Sequence, residues 1–156
     1  MNYSIKKQVS ISFTIAVAKT KAILAEEGFG ILTEIDVKQT LKNKIGVEWD
    51  NYIILGVCNP NLAYKALQAE KEIGLFLPCN VIIYEEGGNV FVSVIVPTVA
   101  MKMIKNKVLL EIAREAEKKL KKVNSIITIS ETSKKDIVRL LDVPAEKIHV
   151  VHLAPG

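Results

Sequence analysis

The sequence predicts an α+β fold, an antiparallel sheet with helices packed on one face. Three observations predict it. Short apolar runs alternate with amphipathic stretches of helical period. Glu86-Gly87-Gly88-Asn89 joins two such runs as a hairpin turn, which makes them antiparallel neighbours. Several runs are also apolar on both faces, as covered strands are.

In order, residues 3–9 alternate as a first strand. Over residues 13–27 the apolar positions Phe13, Ala16, Val17, Ile23 and Leu24 make an amphipathic helix, which Gly28 stops. Residues 30–37 read as a second strand, 37–44 as a short helix ending at Gly46, and 52–57 as a third strand. Asn59 caps and Pro60 begins the next helix, whose buried stripe is Leu62, Ala66, Ala69 and Ile73. Strands over 80–85 and 90–96 flank the hairpin. The strongest helix is 108–123, with Leu109, Ile112, Ala113, Ala116, Leu120 and Val123 on one face. Glu115 with Lys119 and Glu117 with Lys121 pair across its turns outside. Trp49 and Tyr52 are expected to pack in the core or at its rim.

Val90, Val92, Val94 and Val96 point to one side of their strand, Phe91 and Ile95 to the other; Tyr52 and Ile54 likewise oppose Ile53, Leu55 and Val57. Helices cover one face of such a sheet, so something else must cover the second. In a chain of 156 residues a second copy is the economical cover, and a homodimer is expected.

With 49% hydrophobic and 24% charged residues the chain can bury a real core, which excludes a disordered protein. No apolar stretch approaches the roughly 18 residues that span a bilayer, so no membrane partner is expected. Residues 1–7 lack the apolar core of a signal peptide, which points to the cytoplasm. The net charge of +4 gathers largely in Lys118-Lys119-Leu120-Lys121-Lys122, at a helix end whose dipole basic residues complement. With aromatics at only 6% and no Arg-rich stripe, no nucleic-acid partner is expected.

Candidate chemistry centres on the only cysteines, in Gly56-Val57-Cys58-Asn59-Pro60 and Leu77-Pro78-Cys79-Asn80-Val81. Each Cys-Asn pair lies at the end of an apolar run, where backbone leaves a sheet and side chains become reachable. Without a secretory signal the two read as free thiols. Cys58 and Cys79 suit a redox pair or a soft metal site, or else two small buried hydrophobes. Asn59 and Asn80 serve as ligand-binding amides, or as a helix cap and a turn residue. Glu34, Asp36 and Lys38 would share one side of an extended strand and bind a polar ligand or do acid/base work, unless Asp36 is spent capping the helix from Val37. His149 and His152 lack the spacing of a zinc motif, and Gly87-Gly88 has no following Lys-Ser/Thr, so neither a metal nor a cofactor is expected.

Glu34-Ile35-Asp36-Val37, Gly56-Val57-Cys58-Asn59-Pro60, Gly74-Leu75-Phe76-Leu77-Pro78-Cys79-Asn80-Val81 and Tyr84-Glu85 stand in an order and spacing that resembles the bacterial and archaeal family catalogued as domain of unknown function 302. The resemblance covers residues 1–123. It implies a β-α-β(4)-α, TBP-like fold and dimers, and it implies no reaction.

Residues 124–156 differ in kind, with strands expected at 126–131 and 148–153 around a helix that Ser133 caps. Lys134, Lys135, Arg139 and Lys147 balance Glu131, Asp136, Asp142 and Glu146, so all of the net charge lies upstream. This tail resembles a fragment of a family-4 glycosyltransferase of the two-Rossmann (GT-B) type. The resemblance implies a β-α-β appendage joined at Val123-Asn124 by fusion or by engineering as a chimera.

The functional expectation is a small dimeric ligand-binding or interaction module, with Cys58, Asn59, Cys79, Asn80, Glu34 and Asp36 as its site. The alternative is a thiol-dependent redox or sulfur-transfer protein using Cys58 and Cys79, and a third is an inactive glycosyltransferase remnant. The topology around Pro60 bears on the first two. A parallel crossover would set the two sulfurs at opposite sheet ends, whereas an excursion between antiparallel strands makes them neighbours. The four-strand run that the resemblance implies favours neighbours. Both thiols are expected reduced and mostly buried, at least one at a cleft wall with Asn59 or Asn80.

Overall fold

A computed structural model describes residues 2–129. Strand β1 (Ser4–Val9) leads to α1 (Phe13–Glu26), and Ser12 caps that helix by accepting from the Ile15 N–H at 3.2 Å. Strand β2 (Gly30–Asp36) passes directly into α2 (Val37–Ile45), capped by Asp36 through the Gln39 N–H at 2.9 Å. There follow β3 (Tyr52–Cys58), α3 (Pro60–Ala69), a 3-10 turn (Lys71–Phe76), β4 (Cys79–Glu86), β5 (Asn89–Ile95), α4 (Pro97–Met101) and α5 (Lys107–Ile129).

The strands form one wholly antiparallel sheet in the order β1-β5-β4-β3-β2. All five expected strands of the β-α-β(4)-α order are present, and α2 and α3 are excursions between antiparallel neighbours. The hairpin places Gly87 at φ 59° and Gly88 at φ 81°, the left-handed pair that a two-residue turn between twisted strands requires.

One face of the sheet carries the main core. Leu55, Val57, Val81, Ile83, Val92 and Val94 meet Ala16, Ile23 and Leu24 of α1 and Leu120, Val123 and Ile127 of α5. Each of the Val, Leu and Ile side chains contributes about 1.5–3 kcal/mol on full burial. A smaller cluster, Ala66, Ile73, Met101, Leu109 and Ala113, fills the corner between α3, the 3-10 turn, α4 and the first half of α5. On the other face Tyr52 stacks on Tyr84 at 5.4 Å and Tyr84 on Phe91 at 5.3 Å between ring centroids. The Lys6 ammonium sits 4.4 Å from the Phe91 centroid, and Leu32 and Ile35 are exposed. The aromatic row follows from register, since Tyr52, Tyr84 and Phe91 are consecutive cross-strand partners.

Several expectations need correction. The helix from Pro60 ends at Ala69 because Glu70 turns extended, at φ −156° and ψ 114°. Ile73 is buried all the same, from the 3-10 turn that follows. Lys38 does not extend the Glu34–Asp36 side of a strand; the strand ends at Asp36 and Lys38 lies in α2. Trp49 is 53% exposed, outside the core.

The strand expected over 126–131 is, as far as Ile129, the last turns of α5. Ile126, Ile127 and Ile129 are β-branched and read as strand in isolation. Val123 and Ile127, however, continue the i, i+3, i+4 stripe of Leu120, and their burial overrides the weak local preference. Asn124 donates its side-chain N–H to the Ile5 carbonyl at 3.1 Å, tying the helix to β1 across the expected junction. The helix capped at Ser133 and the strand at 148–153 lie outside the described residues.

Candidate functional site

The end of β3 and the start of β4 are brought side by side because α3 is an excursion and not a crossover. Val57 faces Cys79 across the ladder, with Cys58 the next residue along. Gly56 is required there. A Cβ at this position would run into Thr33 Oγ1 and come within 2.8 Å of Pro78 Cγ, so β2, β3 and the approach to β4 close up only around a glycine.

A cavity of about 70 Å³ opens at this sheet end, under a roof of α3, α4 and α5. Cys58, Asn59 and Cys79 stand in its wall. Phe29, Leu62, Phe76, Met101, Leu109 and Ala113 are among the apolar residues that complete it. No lining residue is acidic or basic.

Asn59 has two roles. Its Oδ1 caps α3 by accepting from the Leu62 N–H at 3.3 Å, while Nδ2 lies beside Gly28, 3.1 Å from where a Cβ would stand. Pro60, first in the helix, has no N–H to leave unsatisfied.

The thiols are both free. Burial, together with the neighbouring Cys58, pushes the Cys79 thiol up to about 11. Burial also raises Cys58. Both are therefore thiols at neutral pH, weak hydrogen-bond donors and poor nucleophiles. Among the described residues, no three side chains of His, Cys, Asp or Glu gather into a metal site.

The six residues singled out from sequence divide three ways. Cys58, Asn59 and Cys79 share the cavity. Asn80, opposite Gly56 in the ladder, is exposed and alternates with Cys79 and Val81, so it points to the other face of the sheet. Glu34 and Asp36 line an open groove against α1 with Phe13, Lys21 and Asn51. There Glu34 pairs with Lys21 at 2.7 Å and Asp36 is spent as the α2 cap.

Sequence reading did not foresee the roof contributed by α4. Pro97 at a first-turn position was its one signal, and a helix of only five residues shows no periodicity. Thr98 at its start donates to Glu117 of α5 from both N–H, at 3.3 Å, and Oγ1, at 2.5 Å, which anchors α4 to α5.

No described helix is long and apolar enough to cross a membrane. No curated protein matches the chain. A crystal structure of an uncharacterized conserved protein DUF302 from Bacillus stearothermophilus is similar to it at 30% identity and a TM-score of 0.76. The similarity covers 80% of this chain and 98% of that one. The family model described as Domain of unknown function DUF302 matches residues 5–127, from β1 into the last turns of α5. Sheet, cavity and helical roof all fall within that match, and the chain belongs to the DUF302 family.

Proposed function

We propose that the chain is a small-ligand-binding module that acts as a homodimer, with the cavity at the joined ends of β3 and β4 as its site. One observation carries the reading. Two Cys-Asn segments far apart in sequence meet at a hollow in the core, and that hollow takes Cys58, Asn59 and Cys79 from them. A fragment screen by NMR tests it. Hits are expected to move the signals of Cys58, Asn59 and Cys79 together. Hits that cluster instead around Glu34 and Asp36 would move the site to the open groove, and hits scattered over the surface would remove it.

The homodimer rests on the sheet face away from α1 and α5. That face carries the Tyr52–Tyr84–Phe91 stack, with Ile35 exposed beside it. Burying such a surface against its copy is favourable in proportion to the apolar area removed from water. Sedimentation at micromolar concentration should show the dimer, and a clean monomer would remove it.

The thiol-dependent alternative draws support from the closeness of Cys58 and Cys79. Their raised pKa values weigh against it, because a redox or sulfur-transfer cysteine works as the thiolate. Fast labelling of both thiols at neutral pH would restore it. Reduced thiols suit the cytoplasm. A glycosyltransferase remnant has no support from the comparisons, and measurable turnover of a nucleotide sugar would be needed to revive it.

A further inference from the structure

We infer that the cavity takes a compact, uncharged, largely apolar molecule with at most one hydrogen-bond acceptor, the chemistry of a small ketone or ester. The inference rests on the cavity being a ligand site and adds what that site accepts.

Charge is the first discriminator. The wall holds no acidic or basic side chain, and its two thiols keep their protons at neutral pH. A carboxylate or ammonium entering would lose hydration with no partner to replace it, a cost that makes buried charges pair or neutralise. Water is a poor occupant too. An ordered buried water needs about 2–4 polar partners. The cavity's side chains supply the Asn59 amide and two weak thiol donors, and the Asn59 oxygen is already engaged by the Leu62 N–H. What remains for a ligand is the Asn59 NH₂ and the two weak thiol donors, donors only, at an otherwise apolar wall. One carbonyl oxygen, with its two lone pairs, on an apolar body meets them.

Size is the second discriminator. The volume of about 70 Å³ is roughly half that of a ~150 Å³ apolar cavity known to admit benzene. A body of a few carbons fits as the walls stand. Met101, whose unbranched thioether adapts to irregular space, is the part of the wall able to yield further.

The test is a titration of the full chain, labelled at its methyl groups, with butan-2-one and separately with butyrate. The two are close in size and differ in charge. Butan-2-one should shift the methyl signals of Met101, Leu109 and Ala113 saturably, at least about tenfold more tightly than butyrate. Ala113→Leu, which fills the cavity, should abolish the shifts. Ala100→Leu does the same from the half-exposed α4 side of the wall, should Ala113→Leu not fold. Tighter binding of butyrate at these methyls would overturn the ligand class and leave the site standing. Failure of both ligands to move them, or shifts that survive in a folded filled variant, would overturn the cavity as a ligand site as well.

Discussion

Replacing Ile127 with Ala asks whether the last turns of α5 are part of the domain. Ile127 is 0% exposed and packs in the main core with Leu120 and Val123. One turn before it, Asn124 bonds the β1 carbonyl of Ile5. The substitution removes three carbons, and at about 0.8 kcal/mol for each the transfer loss is about 2.4 kcal/mol. The cavity left behind adds to this, and buried Ile→Ala changes cost about 2–5 kcal/mol in all. A loss of about 3 kcal/mol lowers Tm by about 6–12 °C in a chain of this size. Thermal and urea unfolding followed by circular dichroism should show the drop, with the urea midpoint shifted and its slope unchanged. Leu120→Ala, equally buried on the same face about two turns upstream, should lose a similar amount and serves as the internal standard. If Ile127→Ala melts with the parent while Leu120→Ala falls, the end of the helix is not docked. The boundary at Val123-Asn124 would then be real.

Burial alone would raise the Glu117 carboxyl, but hydrogen bonds from Thr98 and the nearby Lys121 outweigh it and hold the group below the usual carboxylate range. Its stabilisation is therefore present above the ordinary value of about 4.3 and is lost as pH falls through the lower folded value. Glu117→Gln should be less stable than the parent at pH 7 and show a flatter acid limb in stability against pH; an unchanged limb would refute the linkage. The Cys79 thiol, raised to about 11, contributes stability below its unfolded value that is lost as pH rises toward the folded one. Cys79→Val should flatten that alkaline limb. Native labelling of Cys79 should be slow at pH 7 and accelerate into the alkaline range, whereas a plateau near neutrality would show a depressed pKa instead. Gly56→Ala should destabilise by about 1–3 kcal/mol, through overpacking against Thr33 and Pro78. Parental stability in that variant would mean that β2 and the β4 approach part freely.

The order of strands and helices was legible because long, periodic elements carry their own signal, and Asp36 and Asn59 were identifiable as caps from local chemistry alone. The end of α5 was not. Ile126-Ile127-Thr128-Ile129 carries strand-like residues on helical spacing, and only contact with β1 and the core decides between them. The geometry of the candidate site was half legible for a similar reason. A strand end marks where side chains become reachable, but which face they serve depends on register. One residue of register separates Cys79, at the cavity, from Asn80, on the other face of the sheet. The neighbouring of Cys58 and Cys79 depended on whether α3 crosses over or returns, and the length of the segment between them permits either.

That return shapes the site's chemistry as well as its position. An α3 that comes back beside its own strand leaves a corner between the ends of β3 and β4 and the helices above, too small for more than a second cluster of mostly small and aliphatic side chains. Cys58 and Cys79 border that corner because the strands end there, and the apolar surroundings that form the hollow also keep the thiols protonated. A thiolate site would need a cation, a metal or a helix N-terminus directed at the sulfur. Cys58 comes just before the start of α3, where Asn59 Oδ1 already occupies the Leu62 N–H. The arrangement that brings the two cysteines together thus suits the proposed uncharged guest better than it suits an activated nucleophile.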